Sequence, residues 1–133
     1  MKQVAAAISM REGKVLASRR APGQALEGCW EFPGGKVEDG EDVQTCIVRE
    51  LQEELGVRSV AGNVIAKSEH TYPGGVILLI AVEVFLEATN LELTVHDQHA
   101  WIELQELLKL HLAPADIPIA EQVQQIYRKD IKA

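Results

Sequence analysis

Glu50, Glu53 and Glu54 are the residues of this sequence whose type and spacing are best suited to chemistry. On a helical wheel turning about 100° per residue, with Glu50 at zero, Glu53 falls at about 300° and Glu54 at about 40°. The three carboxylates then share one arc, and an apolar stripe begins beside it at Ile47 and Leu51. Like charges four residues apart, as at Glu50 and Glu54, cost a few tenths of a kcal/mol in an isolated helix. Arg49, placed four residues before Glu53, offsets only part of that. Two readings of the arc stand: a solvated acidic face, or a seat for a divalent cation. A solvated face usually interleaves Lys or Arg at i+4, and this one does not. Mg²⁺ takes hard oxygens and few protein ligands, which leaves positions for water and phosphate oxygens.

The segment that presents the arc, residues 42–55, reads as a helix. Ile47, Val48, Leu51 and Leu55 form its apolar stripe, and Gly56 follows where a left-handed C-cap belongs. Residues 4–10 and 15–17 flank Arg11-Glu12-Gly13-Lys14 as a hairpin. A short strand at 30–32 ends at the turn signal Pro33-Gly34-Gly35. Residues 57–70 and 76–87 read as two strands joined through Tyr72-Pro73-Gly74-Gly75, and the second is apolar enough to lie centrally in a sheet. A further strand is expected at 99–102. Helical spacing follows at Leu104, Leu107 and Leu108, and again at Ile119, Val123, Ile126 and Tyr127. The order of elements predicts an α/β (α+β) fold, a mixed β-sheet with helices packed on its faces, and not a doubly wound one.

A length of 133 residues with 47% hydrophobic and 25% charged residues fits one domain spanning 1–133, with no staple needed to fold. The net charge of −7, from 13 Lys+Arg against 20 Asp+Glu, argues against a long nucleic-acid partner. Arg19-Arg20 is a lone basic doublet. Cys29 and Cys46 form no CxxC, which suits a reduced, cytoplasmic protein. The apolar runs 4–10 and 76–82 are far too short to span a membrane, and no targeting signal is evident. GxSxG, P-loop and GxGxxG patterns are absent. His96 and His99 with Asp97 lack a third strong ligand and do not make a zinc site.

Residues 35–57, GKVEDGEDVQTCIVRELQEELGV, fit G-x5-E-x7-R-E-U-x-E-E-x-G-U at every position, where U is apolar. The fixed residues are Gly35, Glu41, Arg49, Glu50, Glu53, Glu54 and Gly56, with Leu51 and Val57 at the apolar positions. At equal residue frequencies chance would produce this at roughly one start in ten billion. The string resembles the Nudix box. Arg19-Arg20, the run from Trp30 to Lys36, Trp101 and residues 112–118 extend the likeness to the MutT-like branch. Residues 112–118, LAPADIP, are similar to the bacterial CTP pyrophosphohydrolases within it.

The resemblance implies a pyrophosphohydrolase that converts a nucleoside triphosphate to the monophosphate and pyrophosphate with Mg²⁺, Mn²⁺ being a substitute. It implies Glu50, Glu53, Glu54 and the Gly34 carbonyl as metal ligands, with Glu41 and Arg49 orienting the carboxylates. Glu50 is the first choice of base, and Glu53 the second. One position departs from the pattern: MutT-like enzymes often carry a further glutamate six residues before the tryptophan matched by Trp101, and here Val95 stands there. That leaves the metal count open and shifts the base towards the helix.

By the same resemblance, Asp116 occupies the place that reads the nucleobase, with Phe32 lining its pocket and Arg20 touching phosphate or base. An ionised carboxylate only accepts hydrogen bonds, so it suits an exocyclic amine, as on cytosine or adenine. A protonated Asp116 in an apolar pocket would lose that preference. Asp116 could also cap the helix that begins near Pro118. Arg20 has an exposed hairpin charge as its other reading, Trp30 and Cys29 read as packing, and His70 and Tyr72 stay open. The expected partner is thus a small nucleoside triphosphate, either CTP/dCTP or a modified pool nucleotide, for a monomer or homodimer. An 8-oxo-dGTP sanitising enzyme and a non-catalytic nucleotide sensor are the alternatives.

Overall fold

The computed structural model describes residues 1–87 and 99–131. Strand β1 (Lys2–Ile8) leads into a hairpin of β2 (Met10–Arg11) and β3 (Lys14–Arg19), followed by the short strands β4 (Trp30–Glu31) and β5 (Gly34–Lys36). Helix α1 (Val43–Leu55) precedes the long hairpin β6 (Ser59–Tyr72) and β7 (Gly75–Leu86). Strand β8 (His99–Glu103), a 3-10 turn at Leu104–Lys109, helix α2 (Asp116–Ile126) and a second 3-10 turn at Arg128–Asp130 complete the order.

One sheet runs β5-β1-β7-β6, with β1 and β7 parallel and the other pairs antiparallel. It is the mixed sheet expected from the element order. Its central strands are covered on both sides, which is why β7 is apolar nearly throughout. Ala5, Ala7, Ile80, Val82 and Val84 face α1, whose Cys46, Ile47 and Leu51 pack on them. The alternate residues Ala6, Ile8, Leu79 and Ala81 face a second core with Leu104, Leu107, Ile119 and Val123. Alternation along β1 and β7 thus places the two helices on opposite faces.

A second, antiparallel sheet places β3 between β2 and β4 on one edge and β8 on the other. The sequence pattern did not separate these strands from the first sheet. Ser9 interrupts the apolar run 4–10, and the chain passes there from β1 to β2. Leu108 and Ile126, assigned to helical stripes by spacing, are largely exposed. The segment around Leu104 closes as a 3-10 turn, so its sides do not follow the α-helical period. Val95, His96 and Asp97 lie outside the described residues.

Candidate active site

Helix α1 is set by its ends. The Asp42 carboxylate accepts the Thr45 N–H at 2.7 Å, and Gly56, at φ 63°, donates its N–H to the Gln52 carbonyl at 3.0 Å. With its apolar face bound to the mixed sheet, α1 turns Glu50 and Glu54 towards β4 and β5. The Glu50 carboxyl lies directly against Gly35, where a Cβ would collide with it. A Cβ on Gly34 would instead strike the Ala5 carbonyl on β1. The paired glycines therefore let both the helix carboxylate and the neighbouring strand approach the backbone.

Arg49 ties the acidic residues together. Its Nε and Nη2 donate to the two Glu41 oxygens at 2.8 and 2.9 Å, and its Nη1 donates to Glu50 at 2.9 Å and Glu53 at 3.4 Å. A further donation reaches the Lys36 carbonyl at 3.3 Å, and the Glu38 carboxylate forms a longer ion pair at 3.8 Å. Hydrogen bonds from Arg49 and from the Glu38 N–H hold the Glu41 carboxyl down at about 2. The spacing Glu41–Arg49–Glu53 thus closes around one guanidinium, whose planar fork matches a carboxylate. Arg49→Lys should keep the charge but lose that fork, lowering kcat by about tenfold to a hundredfold. Steady-state kinetics on a folded variant measures this.

Glu54 is in a different position. Burial, with repulsion from Glu50 and Glu31, pushes its carboxyl up to about 7, while the Gly34 N–H and Arg20 act the other way. Glu53 is 60% exposed and Glu50 only 17%. Among the described residues no three His, Cys, Asp or Glu converge on one point to form a cage for an ion. A hard-oxygen donor set that includes Glu54, a carboxylate whose repulsion by Glu50 and Glu31 is poorly compensated, nevertheless suits Mg²⁺. This ion commonly takes one or two carboxylates and completes its shell with water and substrate phosphate.

A cavity of 610 Å³ reaches Gly35, the residue Glu50 packs against, although no residue of α1 lines it. Gly34, Gly35 and Lys36 line one part of it, and Phe32, Tyr72 and Asp116 another. The size suits one nucleotide-sized ligand. Asp116 reaches it because residues 111–113 run along β4: the Trp30 N–H donates to the His111 carbonyl at 2.8 Å and the Ala113 N–H to the Trp30 carbonyl at 2.9 Å. Asp116 is 5% exposed, and its Oδ1 accepts the Phe32 N–H at 3.0 Å. The helix N-cap is Ala115, with no side-chain cap, so the capping alternative for Asp116 does not hold. Burial, with a contribution from Glu31, pushes the Asp116 carboxyl up to about 7 against the effects of the Phe32 N–H and Arg20.

Arg20 also lines the cavity, and its guanidinium is held by the Glu31 carboxylate at 3.3 Å and the Ala25 carbonyl at 3.1 Å. Glu31 and Tyr72 were not assigned roles from sequence. Glu31 is one residue from Phe32 in the same run, lines the cavity, and its charge raises the carboxyls of both Glu54 and Asp116. Tyr72 accepts the Ala115 N–H at 3.1 Å on its hydroxyl and stacks edge-on with His70. It thus holds the residue before Asp116. No sequence signal distinguishes it from any tyrosine before a Pro-Gly turn.

Residues 1–123 match the family model described as NUDIX domain. The CTP pyrophosphohydrolase of Escherichia coli K12 is 40% identical over 121 residues, covering 91% of this chain and 90% of that protein. An 8-oxo-dGTP diphosphatase of Haemophilus influenzae is 37% identical over 76 residues, or 56% of each chain. The solution structure of the Escherichia coli ORF135 protein superposes with a TM-score of 0.79 at 36% identity, over 97% of this chain and 92% of that one.

Proposed function

The chain belongs to the Nudix family and is a Nudix hydrolase, and from that premise we propose that it is a Mg²⁺-dependent nucleoside triphosphate pyrophosphohydrolase preferring CTP or dCTP. The observation that carries this reading is the single cavity running from Gly34 and Gly35, against which Glu50 packs, to the buried Asp116. One end suits phosphates and the other a base. The similarity to a protein named CTP pyrophosphohydrolase supports the choice of base.

Glu50, Glu53 and Glu54 would hold the metal, which would neutralise the triphosphate and the charge developing on it. Glu50, oriented by Arg49, takes a proton from water as the water oxygen bonds to the β-phosphorus. The bond from that phosphorus to the bridging oxygen breaks, and the nucleoside monophosphate leaves with that oxygen. Pyrophosphate is the other product. Glu41 acts through Arg49 and touches no substrate. Asp116 accepts a hydrogen bond from the exocyclic amine, Phe32 covers part of the base, and Arg20 stands at the cavity wall beside Glu31.

A second reading is favoured by the raised value of Asp116 together with the relative named 8-oxo-dGTP diphosphatase. A protonated carboxyl both donates and accepts, which suits an oxidised guanine. Product analysis with CTP, dCTP, 5-methyl-dCTP, 8-oxo-dGTP and ADP-ribose, with and without Mg²⁺, separates the two. Metal-dependent conversion of the cytidine nucleotides to monophosphate and pyrophosphate is expected. Preference for 8-oxo-dGTP overturns the base assignment, and turnover of ADP-ribose alone overturns the triphosphate assignment.

A further inference from the structure

The loop between β3 and β4 carries an apolar side chain in a backbone conformation that L residues seldom adopt. Leu26 has φ 58°, is 41% exposed, and lines the cavity. Glu12, with φ 50°, shares this conformation, but it precedes Gly13 at φ 77° in a two-residue hairpin turn whose twist needs two positive values. Leu26 has no such reason. It is the first residue of a turn closed by the Cys29 N–H on the Leu26 carbonyl at 3.0 Å, and Gly28, at φ 81°, already supplies the positive value inside that turn.

The loop is nonetheless firmly held. The Gly28 N–H donates to the Arg20 carbonyl at 3.0 Å, the Gly23 N–H to the Glu27 carboxylate at 2.8 Å, and the Ala21 N–H to the Gln24 side-chain oxygen at 3.1 Å. Arg20 clamps the Ala25 carbonyl while bonded to Glu31, so the loop is anchored on the wall of the site itself. An exposed leucine held in a costly conformation gains nothing from water, and an apolar side chain gains nothing from phosphates. The flat apolar face of a base would bury it.

We infer that the loop 21–28 holds Leu26 against the nucleobase, making Leu26 a residue that determines substrate affinity and specificity. This rests on the nucleotide reading of the cavity given above. Phe32, Tyr72, Ile77 and Leu79 supply the other apolar walls. The backbone conformation and the apolar contact can be separated by mutation, because glycine removes the side chain while easing the left-handed conformation.

The test compares Leu26→Gly and Leu26→Ala with the parent protein. Readouts are kcat and KM for CTP with Mg²⁺, calorimetric binding of CMP, inhibition by pyrophosphate, and the thermal unfolding midpoint. In both variants KM for CTP and Kd for CMP should rise by about tenfold, the effect of a few lost methyl contacts in an apolar pocket. Inhibition by pyrophosphate should be unchanged, and kcat should stay within about twofold of the parent. Leu26→Gly should also keep or raise the unfolding midpoint. Unchanged CMP binding overturns the inference. So does weakened CMP binding accompanied by equal loss of pyrophosphate inhibition and a lower midpoint in Leu26→Gly, which marks a structural role. If the parent protein neither hydrolyses CTP nor binds CMP, the base assignment fails and the inference fails with it. Turnover by the parent with indifferent variants overturns the inference alone.

Discussion

Glu50→Gln is expected to lower kcat for CTP by about a hundredfold to ten-thousandfold, the range for removing a general base. The substitution is nearly isosteric. Glutamine still offers Arg49 a carbonyl oxygen in place of the 2.9 Å carboxylate bond and still fits against Gly35. The unfolding midpoint should therefore stay close to that of the parent, and the lost activity reports chemistry. Glu53→Gln separates base from ligand. Glu53 is far more exposed than Glu50 and reaches Arg49 only at 3.4 Å. If it acts solely as a ligand, its variant should need more Mg²⁺ and recover activity when the metal concentration is raised. Glu50→Gln should show no such recovery. Full activity in Glu50→Gln would move the base to another carboxylate.

The second large effect is expected at Asp116. Its carboxylate is the buried polar group best placed to pair with a base amine, and a site built for such a bond loses heavily when the bond is removed. Asp116→Ala should reduce kcat/KM for CTP by about a hundredfold or more. Asp116→Asn should change the ranking of substrates, favouring 8-oxo-dGTP over CTP. An unchanged ranking in both variants refutes base reading by this residue. The pH dependence supplies an independent check. The folded protein binds the Asp116 proton more tightly than the unfolded chain does, at about 7 against an ordinary 3.8. The stability this group contributes is therefore complete below its unfolded value and is lost as pH rises through about 7. Urea midpoints of the parent should fall relative to those of Asp116→Asn between pH 5 and pH 8. The charged groups that set this value are Glu31 on β4, which raises it, and Arg20 beyond β3, which lowers it. For recognition the sign is reversed: the ionised form accepts from the amine, so kcat/KM for CTP should climb across the same interval, and Asp116→Asn should lack the climb.

Much of this was legible along the chain because it is local. The carboxylate arc on α1, the Asp42 start and the Gly56 stop all depend on residues within a few turns of one helix, where a period of 3.6 and the capping chemistry decide the outcome. The central place of β7 was legible too, since a strand buried on both faces has to be apolar throughout. The separate antiparallel sheet was not, because strand pairing is a contact between residues far apart in sequence and the pattern of one strand does not name its neighbour.

The sequence by itself determined a helix face bearing Glu50, Glu53 and Glu54 with Arg49 beside them, because residue type and spacing along one helix specify it. Only the tertiary structure decided what surrounds them. It closed Arg49 onto Glu41 across eight residues, set Glu50 against Gly35, and ran residues 111–113 along β4 so that Asp116 bonds Phe32 in place of capping its own helix. The physical reason is that a bond between positions 84 apart, such as Asp116 to Phe32, leaves no periodic trace in either segment. Its formation depends on the whole chain packing around it, as does the raised pKa that burial imposes on the acid.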